Sequence, residues 1–188
     1  MASTSDIRNG LCLNYNGDIY SVVEFLHVKP GKGNAFVRTK LKSLTTGKVV
    51  ENTFPAGHKI DDVRVERRKY QYLYNDESGY NFMDNETYDQ VSLQEAMLDR
   101  PEFLKEGSEI EILFHAEKNT PLTTEMPASI VLEVTYTEPG VRGDTATNVT
   151  KPATVETGAE VKVPIFINQG DKIRIDTKTG AYQERIKS

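Results

Sequence analysis

The sequence contains no tryptophan, one cysteine and three histidines, and each scarcity excludes a class of protein. The lone thiol of Cys12 has no second cysteine with which to form an internal disulfide, and its apolar neighbours favour a buried structural role over a nucleophilic one. The three histidines, His27, His58 and His115, are too scattered to match the ligand spacing of a metal site. We therefore expect neither a bound metal nor a cofactor.

Long apolar runs are also missing from the chain. No stretch approaches the roughly 20 apolar residues that a helix needs to cross a bilayer. Residues 1–10 are polar and lack the apolar segment of a signal peptide. These absences predict a cytoplasmic protein that does not bind membranes.

Charge is distributed unevenly along the chain, whose formal net charge is −5. Residues 1–64 hold nine Lys or Arg against six Asp or Glu, residues 65–128 hold six against fourteen, and residues 129–188 hold eight against eight. A basic segment on an acidic chain is a hint of a surface that faces a polyanion. Solvated surface charge is the simpler alternative.

Short β-strands separated by turns are predicted along the whole chain, and Asn16-Gly17 is a strong hairpin signal. The first segment shows about five strands without a helix, which predicts a small barrel because closure removes unpaired strand edges. The second and third segments each show about five strands, as expected of an OB-type barrel. We therefore predict an all-β chain of three small β-barrel domains, residues 1–64, 65–128 and 129–188.

One short helix is predicted in the middle segment, at residues 93–100. The preceding Ser92-Leu93-Gln94-Glu95 fits a capping box, in which the side chains at both ends satisfy backbone N–H groups. Pro101 then ends the helical stretch.

The stretch 28–37 is the part of the chain that most resembles a site of contact with another molecule. Predicted strands at either side make it the tip of a hairpin. Pro30 restricts the backbone at the base of the turn, while Gly31 and Gly33 permit conformations closed to residues with a Cβ atom. Lys32 is thereby carried outward on a flexible stem. Such residues are also common in a plain solvated turn, which remains the alternative on local composition.

The strand predicted at 36–44, directly after the loop, has one basic face. Side chains two residues apart share a face of a strand. Phosphate groups of RNA are the natural partners of such a row, because phosphate contacts position a protein without reading sequence. The basic residues of this face are Arg38, Lys40 and Lys42, and Lys29 adds a cation in the loop.

The sequence offers little that resembles a catalytic site. Gly31-Lys32-Gly33 lacks the spacing and the following Ser or Thr of a phosphate-binding P-loop. Lys32 as a Schiff-base lysine would need burial or a neighbouring cation to lower its pKa, whereas a loop tip offers exposure. The many acidic residues are dispersed over strands and turns, which favours a solvated acidic face over a catalytic pair. We expect no enzymatic activity.

Several motifs follow one another through the chain. They are Val28-Lys29-Pro30-Gly31-Lys32-Gly33 with Ala35-Phe36, then Tyr72-Leu73-Tyr74-Asn75-Asp76 and Phe82-Met83-Asp84-Asn85-Glu86-Thr87-Tyr88, then Gly143-Asp144-Thr145-Ala146, and finally Lys151, Ala153, Gly158, Val161, Val163-Pro164, Ile167 and Gly170. In this order they closely resemble the bacterial elongation factor P family, over residues 7–187. Each motif alone is weak, and the order over the whole length carries the resemblance.

The resemblance implies an N-terminal SH3-like (KOW-type) barrel followed by two OB-fold barrels in an L-shaped arrangement. Members of the family bind the ribosome between the peptidyl and exit sites and promote peptide-bond formation where consecutive prolines stall synthesis. The residue matching Lys32 reaches the acceptor end of peptidyl-tRNA and is commonly lengthened by a modification. The loop that presents it corresponds to Lys29, Pro30, Gly31, Gly33 and Asn34, and the loop near the exit site and small subunit corresponds to Arg142, Gly143, Asp144 and Thr145.

The expected partners are therefore the ribosome, through its RNA and proteins, peptidyl-tRNA, and an enzyme that modifies Lys32, with the chain itself a monomer. The acidic middle segment is expected to face solvent or ribosomal protein. The alternative is a general single-stranded RNA-binding OB-fold protein, which needs exposed aromatic rings on which bases stack. Aromatic residues that suit either such stacking or a domain core are Tyr70, Tyr72, Tyr74, Tyr80 and Phe82.

Overall fold

The computed structural model describes residues 1–140 and 149–187. Within them, strands are joined by turns and by three short 3₁₀ helices, and no α-helix is found. The prediction of an all-β chain is confirmed. No helix in this part of the chain has the length and apolar character that a membrane span requires.

The N-terminal strands form a four-stranded sheet and a small two-stranded one. Strands β2 to β5 pair in sequence order, and β1 pairs with β6. Asn16 and Gly17 both have positive φ, +49° and +80°, as the tight turn between β2 and β3 requires. The core of this region contains Ile7, Leu13, Val22, Val37, Leu41, Phe54 and Ile60. The strands are β1 (Ala2–Ser3), β2 (Cys12–Tyr15), β3 (Asp18–Val28), β4 (Phe36–Ser43), β5 (Val49–Pro55) and β6 (Lys59–Ile60).

The other strands form two five-stranded sheets. The first has the order β11-β10-β7-β8-β9 and the second the order β14-β13-β12-β15-β16. The core of the second sheet is rich in β-branched residues such as Val134, Val163 and Ile173, and Phe103 packs into it. The strands are β7 (Val65–Asp76), β8 (Gly79–Asp84), β9 (Gln90–Leu93), β10 (Glu109–His115), β11 (Thr120–Glu125), β12 (Ser129–Thr137), β13 (Thr150–Val155), β14 (Glu160–Pro164), β15 (Lys172–Asp176) and β16 (Tyr182–Ile186).

The chain divides into two compact units. One comprises Met1–Arg68 and Ile112–Thr124, and the other comprises Lys69–Glu111 and Glu125–Ser188. The boundaries between the units fall inside β7, β10 and β11. The division into three domains, 1–64, 65–128 and 129–188, and their L-shaped arrangement stay predictions.

The prediction of a helix at 93–100 is wrong. Leu93 instead ends β9, where it pairs with Tyr80 of β8 and is only 1% exposed. The hydroxyl of Ser92 donates a hydrogen bond to the side-chain oxygen of Asn81 instead of capping a helix. Strand pairing and the burial of Leu93 have overridden the local helix signal. In place of the predicted helix, residues 95–103 contain the two short 3₁₀ helices Glu95–Met97 and Pro101–Phe103.

Candidate functional site: the Lys32 hairpin

Strands β3 and β4 form an antiparallel ribbon whose last pairs are His27 with Val37 and Val28 with Phe36. The strands predicted on either side of the loop, the second of them at 36–44, are confirmed by β3 and β4. Strand β4 also pairs with β5, from Phe36 opposite Pro55 to Lys42 opposite Val49. The loop between β3 and β4 is therefore anchored on its C-terminal side by a strand that has a partner on both edges.

Lys32 lies in this loop, and the side chains from Lys29 to Asn34 are exposed. Among the described residues, Lys32 has no hydrogen-bond or ion-pair partner. Its ammonium group is therefore available to a molecule outside the chain. We call residues 29–35 the Lys32 loop.

The two glycines that flank Lys32 differ in their backbone. Gly33 has a φ of +108°, a conformation that residues with a side chain rarely adopt, and a Cβ atom there would lie 3.8 Å from Cγ of Pro30. Gly31 lies outside this range of φ, and open space surrounds the position of its missing Cβ. The loop therefore uses the conformational freedom of glycine at Gly33.

The basic face predicted for β4 is present. Arg38 and Lys42 are exposed and have no ion pair within the described part of the chain, whereas Lys40 is half-buried. Nζ of Lys40 lies 2.8 Å from Oε2 of Glu24, and the hydrogen bond and charge of Glu24 raise the pKa of Lys40. Of the three residues predicted to contact phosphate, Arg38 and Lys42 therefore carry a positive charge that no acidic side chain among the described residues compensates. The opposite face of β4 is buried and consists of Val37, Thr39, Leu41 and Ser43.

A carboxylate fixes the other end of the ribbon. Asp18 accepts hydrogen bonds from the hydroxyls of Ser43 and Thr45, the latter at 2.9 Å to each carboxylate oxygen. Partial burial alone would raise the pKa of Asp18, but these hydrogen bonds outweigh it and lower that pKa below its usual value. Sequence reasoning missed this residue, and its only signal is a place directly after the Asn16-Gly17 turn.

The second predicted loop, Arg142, Gly143, Asp144 and Thr145, lies outside the described residues. The residue that precedes it in the described chain, Gly140, is held closely. A Cβ atom there would lie 2.6 Å from the carbonyl oxygen of Ile165 and 2.9 Å from its Cβ. Glycine is therefore required at this position by the close approach of the two backbone segments.

The aromatic cluster of the middle sheet serves mainly as a core. Tyr70, Tyr72 and Phe82 are buried, while Tyr80 is half-buried and Tyr74 exposed. The ring of Tyr72 lies 5.5 Å from that of Phe82 and 6.0 Å from that of Tyr80. Burial raises the pKa of both Tyr72 and Tyr80. A row of buried rings does not offer bases a surface for stacking, which weakens the interpretation as a general single-stranded RNA-binding protein.

The whole chain is similar to proteins named elongation factor P. It is 66% identical to elongation factor P of Christiangramia forsetii over 187 residues, which covers 100% of both chains. The chain belongs to the elongation factor P family. Elongation factor P of Flavobacterium johnsoniae is 63% identical over the same length, again with 100% of both chains covered. The chain is thus a translation elongation factor, and the resemblance noted in the sequence is confirmed.

Three models of elongation factor P domains match in chain order. The KOW-like domain matches residues 3–60, the OB domain residues 65–123, and the C-terminal domain residues 130–185. The predicted fold class of a KOW-type barrel followed by OB-type barrels is confirmed by these matches.

A solved structure titled eukaryotic translation initiation factor 5A, from Methanococcus jannaschii, has a similar fold. The TM-score is 0.51 at 22% identity, and the match covers 67% of this chain and 90% of that chain. At this identity the likeness concerns the fold alone.

Proposed function

We propose that this member of the elongation factor P family binds the ribosome between the peptidyl and exit sites and helps peptide bonds form where consecutive prolines stall synthesis. The observation that carries the proposal is Lys32 itself, which is exposed and has no partner among the described residues. It lies at the tip of a ribbon whose strand β4 is paired on both edges. Through this tip the protein contacts the acceptor end of peptidyl-tRNA.

The proposed action needs no chemistry from the protein itself. A factor accelerates a reaction between two poorly positioned groups when it restricts them to a productive geometry, because the entropy of positioning is then lost before the reaction. Lysine suits this role, since its long stem carries a compact charge with three donors that can meet phosphate or ribose oxygens. No covalent intermediate on Lys32 is required.

The exposed cations of β4 support a contact with the RNA backbone. Arg38 and Lys42 have no ion pair among the described residues, so binding a phosphate costs them no existing partner. Lys40 contributes less, because Glu24 already compensates its charge. Such contacts release counterions, so binding through them weakens as the salt concentration rises.

Two further parts of the proposal concern Lys32 itself and the second loop. The exposure of Lys32 gives a modifying enzyme access to its amino group, and mass spectrometry of the Lys32 peptide from the native host tests this. An unmodified lysine in that peptide contradicts it.

Residues 142–145 are proposed to contact the exit site and the small subunit, and loss of ribosome binding on Asp144→Ala would support that contact.

The test of the main proposal is a translation assay on a message that encodes consecutive prolines. Lys32→Ala should raise the factor concentration needed for half-maximal relief of stalling by about tenfold or more, the value of one charge-assisted hydrogen bond. Lys48→Ala is the matched control, because Lys48 is also exposed and precedes β5, in the turn at the opposite end of β4. Equal relief by wild-type and Lys32→Ala protein would show that Lys32 has no such role.

A further inference from the structure

Two aromatic side chains lie next to each other on β3, close to the Lys32 loop. The ring centres of Phe25 and His27 are 5.5 Å apart, and the ring planes stand at 82° to each other. Phe25 is 38% exposed, His27 is exposed, and the imidazole has no hydrogen bond among the described residues. Both rings are therefore open to a molecule outside the chain, and we call Phe25 and His27 the ring pair.

The ring pair lies at the rim of the buried core of its sheet. Its cross-strand partners on β4, Thr39 and Val37, are only 1% and 2% exposed. The next residues in these two rows, Asn52 and Phe54 of β5, are likewise uncharged. The ring pair therefore stands on a well-packed base, and no carboxylate lies in the two cross-strand rows beside it.

Positive charge lies beside the ring pair on the same side of β3. A residue before proline keeps an extended backbone, so the alternation that places Phe25 and His27 on one face continues to Lys29. Lys29 is exposed and has no hydrogen-bond or ion-pair partner within residues 1–140 and 149–187. The carboxylate of Glu24 forms an ion pair with Lys40 on the other face. The ring pair is thus followed by a cation whose charge is not compensated.

We propose that the ring pair stacks on an unpaired base of an RNA end, while Lys29 binds the phosphate next to that base. Aromatic rings beside cations are the means by which proteins commonly bind single-stranded RNA. Because the two rings are nearly perpendicular, a flat base can stack on the face of one ring and meet the other ring with its edge. The inference rests on the proposed function, since the RNA end is the acceptor end of peptidyl-tRNA.

The spacing along the chain allows one RNA end to reach both the ring pair and Lys32. Lys32 follows His27 by five residues, so their Cα atoms are at most about 18 Å apart. Phosphates of a stacked strand follow one another at about 3.4 Å, so about five nucleotides cover that distance. Two points of contact restrict the RNA end more than Lys32 alone, which adds to the positioning effect.

A protein partner suits this surface less well. An apolar side chain of a partner would cover the rings but would also bury Lys29 without a counter-charge, and burying an unpaired charge is costly. A nucleotide supplies a flat base and a phosphate together. Both the ring pair and Lys29 then have a partner.

The first test removes a ring but keeps an apolar side chain. Phe25→Leu and His27→Leu should each raise the factor concentration for half-maximal relief of polyproline stalling by about tenfold, as expected for one stacked base. Phe25→Tyr and His27→Phe keep a ring and should stay within about twofold of wild type. A side chain that only covers the core would tolerate leucine, so these variants separate stacking from packing. The midpoint of thermal unfolding checks that each variant is folded.

The second test measures stacking without translation. An RNA hairpin with a single-stranded 3′ end carries the fluorescent base 2-aminopurine in place of one unpaired base at a time. Stacking quenches this fluorescence, so wild-type protein and Phe25→Tyr should quench at least one position. With Phe25→Leu the same quenching should need about tenfold more protein. A blunt-ended hairpin with 2-aminopurine in its last base pair is the control and should show no change.

Three outcomes would overturn the inference. The first is normal relief of stalling by Phe25→Leu and His27→Leu while Lys32→Ala is impaired, which leaves the proposed function intact. The second is no quenching by wild-type protein, whatever the stalling assay gives. The third is a crosslink from a photoreactive amino acid at position 27 to ribosomal protein alone, which assigns the ring pair to a protein partner. Equal relief of stalling by wild type and Lys32→Ala would instead refute the proposed role of Lys32, and quenching would still decide whether the ring pair stacks on RNA.

Discussion

Replacing Gly33 with alanine tests whether the shape of the Lys32 loop matters for its action. The φ of +108° at Gly33 is a conformation that alanine adopts only under strain. Holding a residue with a side chain in such a region costs about 1–3 kcal/mol. Because the loop is exposed, Gly33→Ala relieves this strain by changing the loop's conformation and leaves the barrel folded.

The strain sets the size of the expected effect. A cost of about 1–3 kcal/mol lowers the population of the present loop conformation by about 5- to 150-fold. The apparent affinity of a protein falls in proportion to the fraction in the binding-competent state. The factor concentration for half-maximal relief of polyproline stalling should therefore rise by the same factor, while the midpoint of thermal unfolding stays nearly unchanged.

Gly31→Ala is the matched control for this experiment. No atom lies within 4 Å of a Cβ built at Gly31, and its φ is outside the left-handed range. Its activity should stay within about twofold of wild type, since open surface positions tolerate substitution. Equal losses in the two variants, or full activity of Gly33→Ala, would refute the view that the conformation at Gly33 presents Lys32.

Two predictions concern stability. The folded-state pKa of Asp18 is lowered, so its stabilising effect is present above the usual pKa of 3.8 and is lost as the pH falls through the folded-state value. Asp18→Asn should thus lower the free energy of unfolding by about 1–2 kcal/mol at neutral pH and by much less near pH 2, in urea titrations; equal losses at both would contradict this. Phe103→Ala should cost about 3–5 kcal/mol by the same method, because Phe103 is buried in the core that also contains Leu132 and Ile175. Phe166→Ala, at a side chain 54% exposed, should cost less than about 1 kcal/mol, and a comparable loss in both would contradict the assignment of Phe103 to that core.

Alternation along a strand was enough to predict much of the hairpin. In β4 the side chains of Val37 and Leu41 are buried and those of Arg38 and Lys42 are exposed, as the period of two requires. Because the pattern involves only neighbouring residues of one strand, it can be recognised from the sequence alone. The glycines on either side of Lys32 could also be recognised directly from the sequence as a sign of a loop.

Features that depend on pairing between distant residues were not predictable. Strands β1 and β6 are two residues each, too short to show a period, and exist because they pair with each other. The contact of Lys40 with Glu24 follows from a register that shifts between Val22 and Glu24. The helix expected at 93–100 fails because Tyr80 of β8 pairs with Leu93, the first residue of that segment.

The most direct test of the central claim is a crosslink from position 32. A photoreactive amino acid in place of Lys32, on a ribosome stalled at consecutive prolines, should crosslink to the 3′-terminal nucleotides of peptidyl-tRNA. The same amino acid in place of Lys48 should not, because Lys48 lies at the opposite end of β4. Crosslinks from position 32 to ribosomal RNA or protein alone, with none to peptidyl-tRNA, would contradict the proposal that this loop reaches the acceptor end.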